Sequence, residues 1–116
     1  MRVHVKSGER LFVNGAVLRF SNRGSVEFMN DADFLLEHHV LQPDEAQTPV
    51  AQLYLAVQAL VIDPVMRATN RARVEAMLAA NGEGETYRQV ERLVKRGRFL
   101  DAMKVLRPHL HEDRAA

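Results

Sequence analysis

The chain has 116 residues, 47% of them apolar and 27% charged, and its 16 Lys plus Arg against 15 Asp plus Glu leave a formal net charge of +1. This is the composition of a globular domain and excludes a disordered chain or a collagen-like repeat, while the lack of cysteine excludes a disulfide scaffold, a thiolate nucleophile and a cysteine metal site. No apolar run approaches the roughly 20 residues that span a bilayer, and the N-terminus, MRVHVKSGERLF, lacks the apolar stretch of a secretory signal, so a cytoplasmic protein without membrane contact is expected.

The first 41 residues read as β-structure. Val3 and Val5 alternate with Arg2, His4 and Lys6, giving one apolar and one cationic face. Ser7-Gly8 signals a turn before a short strand at Arg10–Val13. Asn14-Gly15 is the dipeptide that most readily supplies the two positive φ angles of a two-residue hairpin, and Ala16–Phe20 is the return strand. Ser21–Gly24 turns again, Ser25–Met29 is a fourth strand, Asn30-Asp31 a break, and a fifth strand runs from Phe34–Leu36 to an end near Leu41.

The remainder reads as helix. Gln42–Gln47 is a linker or a single helical turn. Thr48-Pro49 places a hydroxyl N-cap before a proline at the first helical position. From Val50 to Ile62 only Gln52 and Gln58 interrupt an all-round apolar helix, which must be buried on most sides. Asp63-Pro64 begins a polar helix that runs to about Ala80, and Asn81–Gly84 supplies glycine for its end. Helices at Glu85–Arg96 and Arg98–Leu110 follow, hinged at Gly97. The expected architecture is α+β, an N-terminal antiparallel β-meander over residues 1–41 packed against a C-terminal helical segment over residues 42–116, in one compact unit.

Catalytic and metal motifs are missing from the pattern. There is no GxSxG, Walker loop, dinucleotide fingerprint or HExxH, and the serines at 7, 21 and 25 sit in or beside turns. His38 and His39 are adjacent, so on a strand they point to opposite faces; His109 and His111 lie near the C-terminus. The reading is therefore of a protein that is not an enzyme and uses no cofactor or metal.

Three surfaces remain. Arg88, Arg92, Lys95 and Arg96 fall at i, i+4, i+7 and i+8, one face of a helix opposite Tyr87, Val90 and Val94. This ridge suits phosphate contacts; the ordinary alternative is a solvated face with Glu91–Lys95 and Asp101–Lys104 pairs. Beyond Gly97, Lys104 and Arg107 line one side of the last helix while Phe99, Met103, Leu106 and Leu110 pack. On the strands, the outward face of Arg2, His4 and Lys6 lies near Arg10, Arg19 and Arg23, and Phe12 shares a face with Arg10, so an aromatic ring could stack a base beside a phosphate contact. Charged strand residues equally guard a sheet edge. The third surface is the apolar helix, where Leu53, Tyr54, Val57, Leu60 and Val61 could seat a partner helix or form the core beneath the sheet.

GERLFVNGAVLRF (8–20), DFLLEHHVL (33–41), TPVAQLYLAVQALVIDP (48–64) and GRFLDAMKVLRPHL (97–110) together resemble the bacterial flagellar biosynthesis repressor family FlbT. That resemblance implies a post-transcriptional regulator of flagellin synthesis that acts on the 5′ untranslated region of flagellin mRNA, represses translation and shortens the life of the message. It also implies a working partnership with FlaF, a small flagellin-associated regulator; some relatives promote flagellin production instead. The N-terminal segment is similar in its strand–turn–strand order to carbon-storage-regulator RNA-binding proteins, but Leu36 stands before Glu37 where that type carries a basic contact. The phosphate candidates are then Lys6, Arg10 and Arg19, with Phe12 for stacking, and Arg88, Arg92, Lys95 and Arg96. The second reading is a protein-interaction adaptor, in which the apolar helix docks a FlaF-type partner or flagellin and any effect on mRNA is indirect. A helix apolar on more than one side also fits a homo-oligomer.

Overall fold

The computed structural model describes residues 2–30, 32–81 and 84–110. Five strands come first: β1 (Arg2–Val5), β2 (Arg10–Val13), β3 (Ala16–Arg19), β4 (Gly24–Glu27) and β5 (Phe34–Leu36). Short 3-10 turns at Glu37–His39 and Pro43–Glu45 lead to α1 (Pro49–Ile62), α2 (Arg67–Asn81), α3 (Glu85–Lys95) and α4 (Phe99–Leu106), then to a last 3-10 turn at Arg107–His109. The α+β class expected from the sequence is the one the chain adopts.

The strand connectivity is more particular than a meander. β3, β2 and β5 form one sheet in that order, and β1 pairs with β4 in a second; every pairing is antiparallel. In both the β1–β4 and the β2–β3 ladder, the two residue numbers of each pair add up to 29, from Arg2↔Glu27 to Val13↔Ala16. The two ladders are therefore outer and inner halves of one long hairpin held in a single register. Its tip is Asn14-Gly15, with φ of 47° and 85°, the two positive angles that the dipeptide predicts. The ladder is interrupted where Ser7-Gly8 on one arm meets Ser21–Arg23 on the other. There the Glu9 N–H donates to the Lys6 carbonyl at 3.0 Å, the Lys6 N–H donates to the Glu9 carboxylate at 2.9 Å, and Ser7 Oγ donates to the Ser21 carbonyl at 2.9 Å.

β4 ends at Glu27, two residues earlier than expected, and Phe28 stacks on Phe34 with ring centroids 4.8 Å apart. After Leu36 the chain leaves the sheet. His38 and His39 lie in a 3-10 turn with their rings 4.1 Å apart, instead of on opposite faces of an extended strand. Arg10 forms an ion pair with Glu37, and His38 Nδ1 lies 3.1 Å from Glu9 Oε2, so the turn is bound to β2 by side chains.

In α1, nine of 14 residues are buried. Thr48 Oγ1 accepts from the Ala51 N–H at 3.0 Å, the cap foreseen before Pro49. Leu53, Tyr54, Val57, Leu60 and Val61 join Val74 and Leu78 of α2, Val90 and Val94 of α3, Met103 and Leu106 of α4, and Leu35 of β5 in one core. Val3, Val5 and Leu11 are buried outside that cluster, on the strands. Asp63-Pro64 does not begin α2, which starts at Arg67. Asp63 is the C-cap of α1, and its carboxylate accepts from the Met66 N–H at 3.3 Å, closing a turn first. The hairpin tip rests on this turn, because a Cβ on Gly15 would lie 3.3 Å from Pro64 Cδ. The glycine expected to end α2 falls at residues 82–83, outside the described residues; Gly84 is the N-cap of α3. Between α3 and α4, Gly97 has φ 74°. The Gly97 and Arg98 N–H groups donate to the Val94 and Leu93 carbonyls at 3.0 and 2.8 Å, the paired bonds of a glycine-terminated helix end.

The polar side chains on α1 explain why so apolar a helix has one orientation. Gln58 is buried and grips Leu41 at both ends: its Nε2 donates to the Leu41 carbonyl at 2.9 Å, and its Oε1 accepts from the Leu41 N–H at 2.7 Å. One turn earlier, the buried Tyr54 hydroxyl donates to the His39 carbonyl at 2.6 Å. Replacing Gln58 with leucine leaves a backbone donor and acceptor unpaired, so it should cost about 1–3 kcal/mol in urea unfolding. The exposed Gln52→Leu change on the same helix should stay within about 0.5 kcal/mol.

Candidate functional site

The residues singled out by sequence occupy three separate settings. The five apolar residues of α1 offer no surface. Leu53, Tyr54, Val57, Leu60 and Val61 are all at most 3% exposed, because α2, α4 and β5 pack against the helix. This corrects the docking reading of that face: in the folded chain these side chains are core, and a charged substitution there would unfold the protein rather than release a partner.

The α3 ridge is on the surface as its spacing requires. Arg88 and Arg92 both reach Glu85, at 3.5 and 3.0 Å, and Lys95 reaches Glu91 at 3.5 Å. The Arg92 hydrogen bond and charge, with the Arg88 charge, hold the Glu85 carboxyl below the ordinary carboxylate range. Exposed pairs of this kind are weak and screened by salt, so they soften the ridge's positive field without removing it. Arg96 has no ion-pair partner among the described residues. The expected Asp101–Lys104 pair is replaced by Arg98–Asp101 at 2.5 Å, which leaves Lys104 unpaired among the described residues.

On the hairpin, Arg10 and Arg19 face each other across the β2–β3 ladder. Two like charges directly opposite destabilise a strand pair. Arg10 is drawn off by Glu37 and lies 5.6 Å over the Phe12 ring. Phe12 and Arg10 do share a face, but Phe12 is half-buried against the helical core, so the ring is not an open platform for a base. Lys6 and Arg19 are exposed and make no ion pair with a described residue.

One convergence that the sequence reading did not foresee is a groove of about 560 Å³ between the strands and α4. Arg2 and Val3 of β1 form one wall and residues 32–36, through β5, the next; His39 and residues 97–101, with Lys104 and Arg107, complete it. Four cationic side chains (Arg2, Arg98, Lys104 and Arg107) face two carboxylates (Asp33 and Asp101). Arg107 is also structural: its Nε donates to the Tyr54 hydroxyl at 3.2 Å, and its guanidinium lies 5.8 Å over that ring. Burial, followed by the positive charge of Arg107 and His38, lowers the His39 pKa below its ordinary value. Only the i, i+3 spacing of Lys104 and Arg107 was visible along the chain. Arg2, His39 and Arg98 are brought together by tertiary packing.

Among the described residues, no group of three or more His, Asp and Glu side chains could hold a metal ion, and no helix is long and apolar enough to cross a membrane. His111 lies outside the described residues.

A family model for the flagellar protein FlbT matches residues 1–115. The chain belongs to the FlbT family. Relatives named "Probable flagellum biosynthesis repressor protein FlbT" from Brucella ovis and Brucella melitensis biotype 2 are each 43% identical over 114 residues, covering 92% of this chain and 75% of the relative. The FlbT relative from Brucella anthropi is 41% identical over 116 residues, with the same coverage. These names describe repressors, not enzymes. No solved structure matches.

Besides the exposed Glu85, two groups give the fold a defined acid response. The Lys6 N–H and then His38 lower the Glu9 pKa below 4.5, and that of His39 lies below 6.5. A lowered folded-state pKa contributes stability above the unfolded value, and that contribution is lost as pH falls through the folded value. Stability measured by urea midpoint should therefore begin to fall below pH 6.5 and fall again below pH 4.5. His39→Gln should flatten the upper step, and Glu9→Gln should reduce the lower one, leaving the share of Glu85.

Proposed function

We propose that this protein is a cytoplasmic post-transcriptional regulator of flagellin synthesis that binds the 5′ untranslated region of flagellin mRNA and represses its translation or destabilises the message. Membership of the FlbT family over nearly the whole chain is the observation that carries this reading, together with the repressor name borne by its relatives. In this reading cationic side chains position the leader through its phosphates. Lys6, Arg19 and Arg96 carry the strongest case, because no described carboxylate competes for them. Arg10, Arg88, Arg92 and Lys95 contribute after exchanging Glu37, Glu85 or Glu91 for phosphate. A leader held this way leaves its ribosome-binding region occluded. A FlaF-type protein or flagellin acting with it would have to meet a surface other than the five buried residues of α1.

The test is binding of the purified chain to a labelled flagellin 5′ leader across a salt titration. Saturable binding that weakens steeply with salt is expected. Arg19→Ala and Arg96→Ala should each weaken it and reduce the magnitude of the salt slope by about 1. Arg88→Ala should do less, since Glu85 already offsets that charge. A folded sample that fails to bind the leader at low salt would overturn direct RNA contact.

A further inference from the structure

The groove between β1, β5 and α4 differs from the phosphate candidates in what lines it. Residues 32–36 all reach the groove, and three of them, Phe34, Leu35 and Leu36, are the consecutive positions of β5. Side chains alternate between the two faces of a strand, so a cavity lying over one face would be lined by every second residue. Contact with every residue in turn means that the groove runs along the strand's edge. The pairing agrees. Among the described residues, β5 is bonded to β2 on one edge and β1 to β4 on one edge, and the other edge of each carries no strand. Arg2 and Val3 are likewise consecutive residues of β1 that both line the groove.

An open strand edge presents backbone donors and acceptors that an added extended chain can satisfy. The charge around this edge is uneven. Arg2 is paired with Glu27 at 3.5 Å and Arg98 with Asp101, but Lys104 is exposed without an ion-pair partner among the described residues. Arg107 stands beside it, held by a neutral hydroxyl. The one groove carboxylate outside these pairs is Asp33. We propose that this groove is a docking site for an extended, acidic peptide segment of a partner protein, which adds as a strand along the open edge of β5 and places its carboxylates against Lys104 and Arg107. The backbone edge selects an extended chain, and the surplus of positive charge selects an acidic one. The phosphate candidates Lys6, Arg19 and Arg96 do not line the groove, so the proposal stands or falls separately from the RNA reading.

The probe is a displayed library of random 12-residue peptides, selected against the folded full chain, with an eight-nucleotide oligouridylate tested alongside. Enriched peptides should be rich in Asp and Glu and in β-branched residues. On binding they should slow amide hydrogen exchange across residues 32–36. Lys104→Glu, at an exposed position with no ion-pair partner, should weaken them roughly tenfold, a change of about 1.4 kcal/mol. Asp33→Asn should strengthen them. The proposal is overturned if no peptide is enriched, if enriched peptides protect another segment or ignore both substitutions, or if oligouridylate alone binds the groove and responds to Lys104→Glu.

Discussion

The rest of the molecule depends on the burial of α1. Its apolar side chains meet α2, α4 and β5 at once, so the hydrophobic effect, which has no direction of its own, supplies most of the stability without fixing orientation. Orientation comes from the few polar atoms on that helix. Tyr54 and Gln58, one turn apart, hold the backbone of His39 and Leu41. Because a buried polar group left unpaired is costly, these bonds select one seating of the strand layer on the helices among many that would bury similar apolar area. Arg67 does related work at the other end of α1, donating to the Leu60 carbonyl at 3.0 Å and lying 5.6 Å over the Phe99 ring.

The same economy applies to charge. Much of the basic content of the helical half is engaged in the fold: Arg71 donates to the Lys95 carbonyl at the end of α3, where a cation meets the negative end of the helix dipole. Arg107 holds Tyr54, and Arg88 and Arg92 share Glu85. A count of arginines therefore overstates the positive surface available to a ligand. What matters for recognition is which cations lack a competing carboxylate, and those are dispersed over the hairpin, the end of α3 and the groove beside α4.

Much of this architecture was legible in the sequence wherever the signal was local. Asn14-Gly15 specifies its turn, Thr48-Pro49 its cap, and the unbroken apolar run of Val50–Ile62 its central burial. Gly97 marks the end of α3 for the same reason. The strand pairing was less accessible. Nothing local to Val3 or Val26 says that they pair, since β1 and β4 are 18 residues apart along the chain between Val5 and Gly24. The turn at Glu37–His39 was misjudged because its conformation depends on Glu9, Arg10 and α1, none of them a sequence neighbour. The fate of Tyr54 carried a readable warning: a hydroxyl on an otherwise apolar helix needs a partner if it is buried. The groove depends entirely on tertiary packing.

The shared register of the long hairpin bears on how this protein can vary. The interruption at Ser7-Gly8 and Ser21–Arg23 looks like ordinary surface loop, the kind of place where chains gain and lose residues freely. Here both segments lie inside a ladder whose inner half is pinned by the Asn14-Gly15 tip and whose outer half buries Val3 and Val5. One residue inserted in a single arm would turn those valines outward or force the outer pair apart, since a one-residue slip exchanges the faces of a strand. Length changes are tolerated only when both arms change together. Among homologues, insertions at these two sites should therefore be correlated, each a compensation for the other.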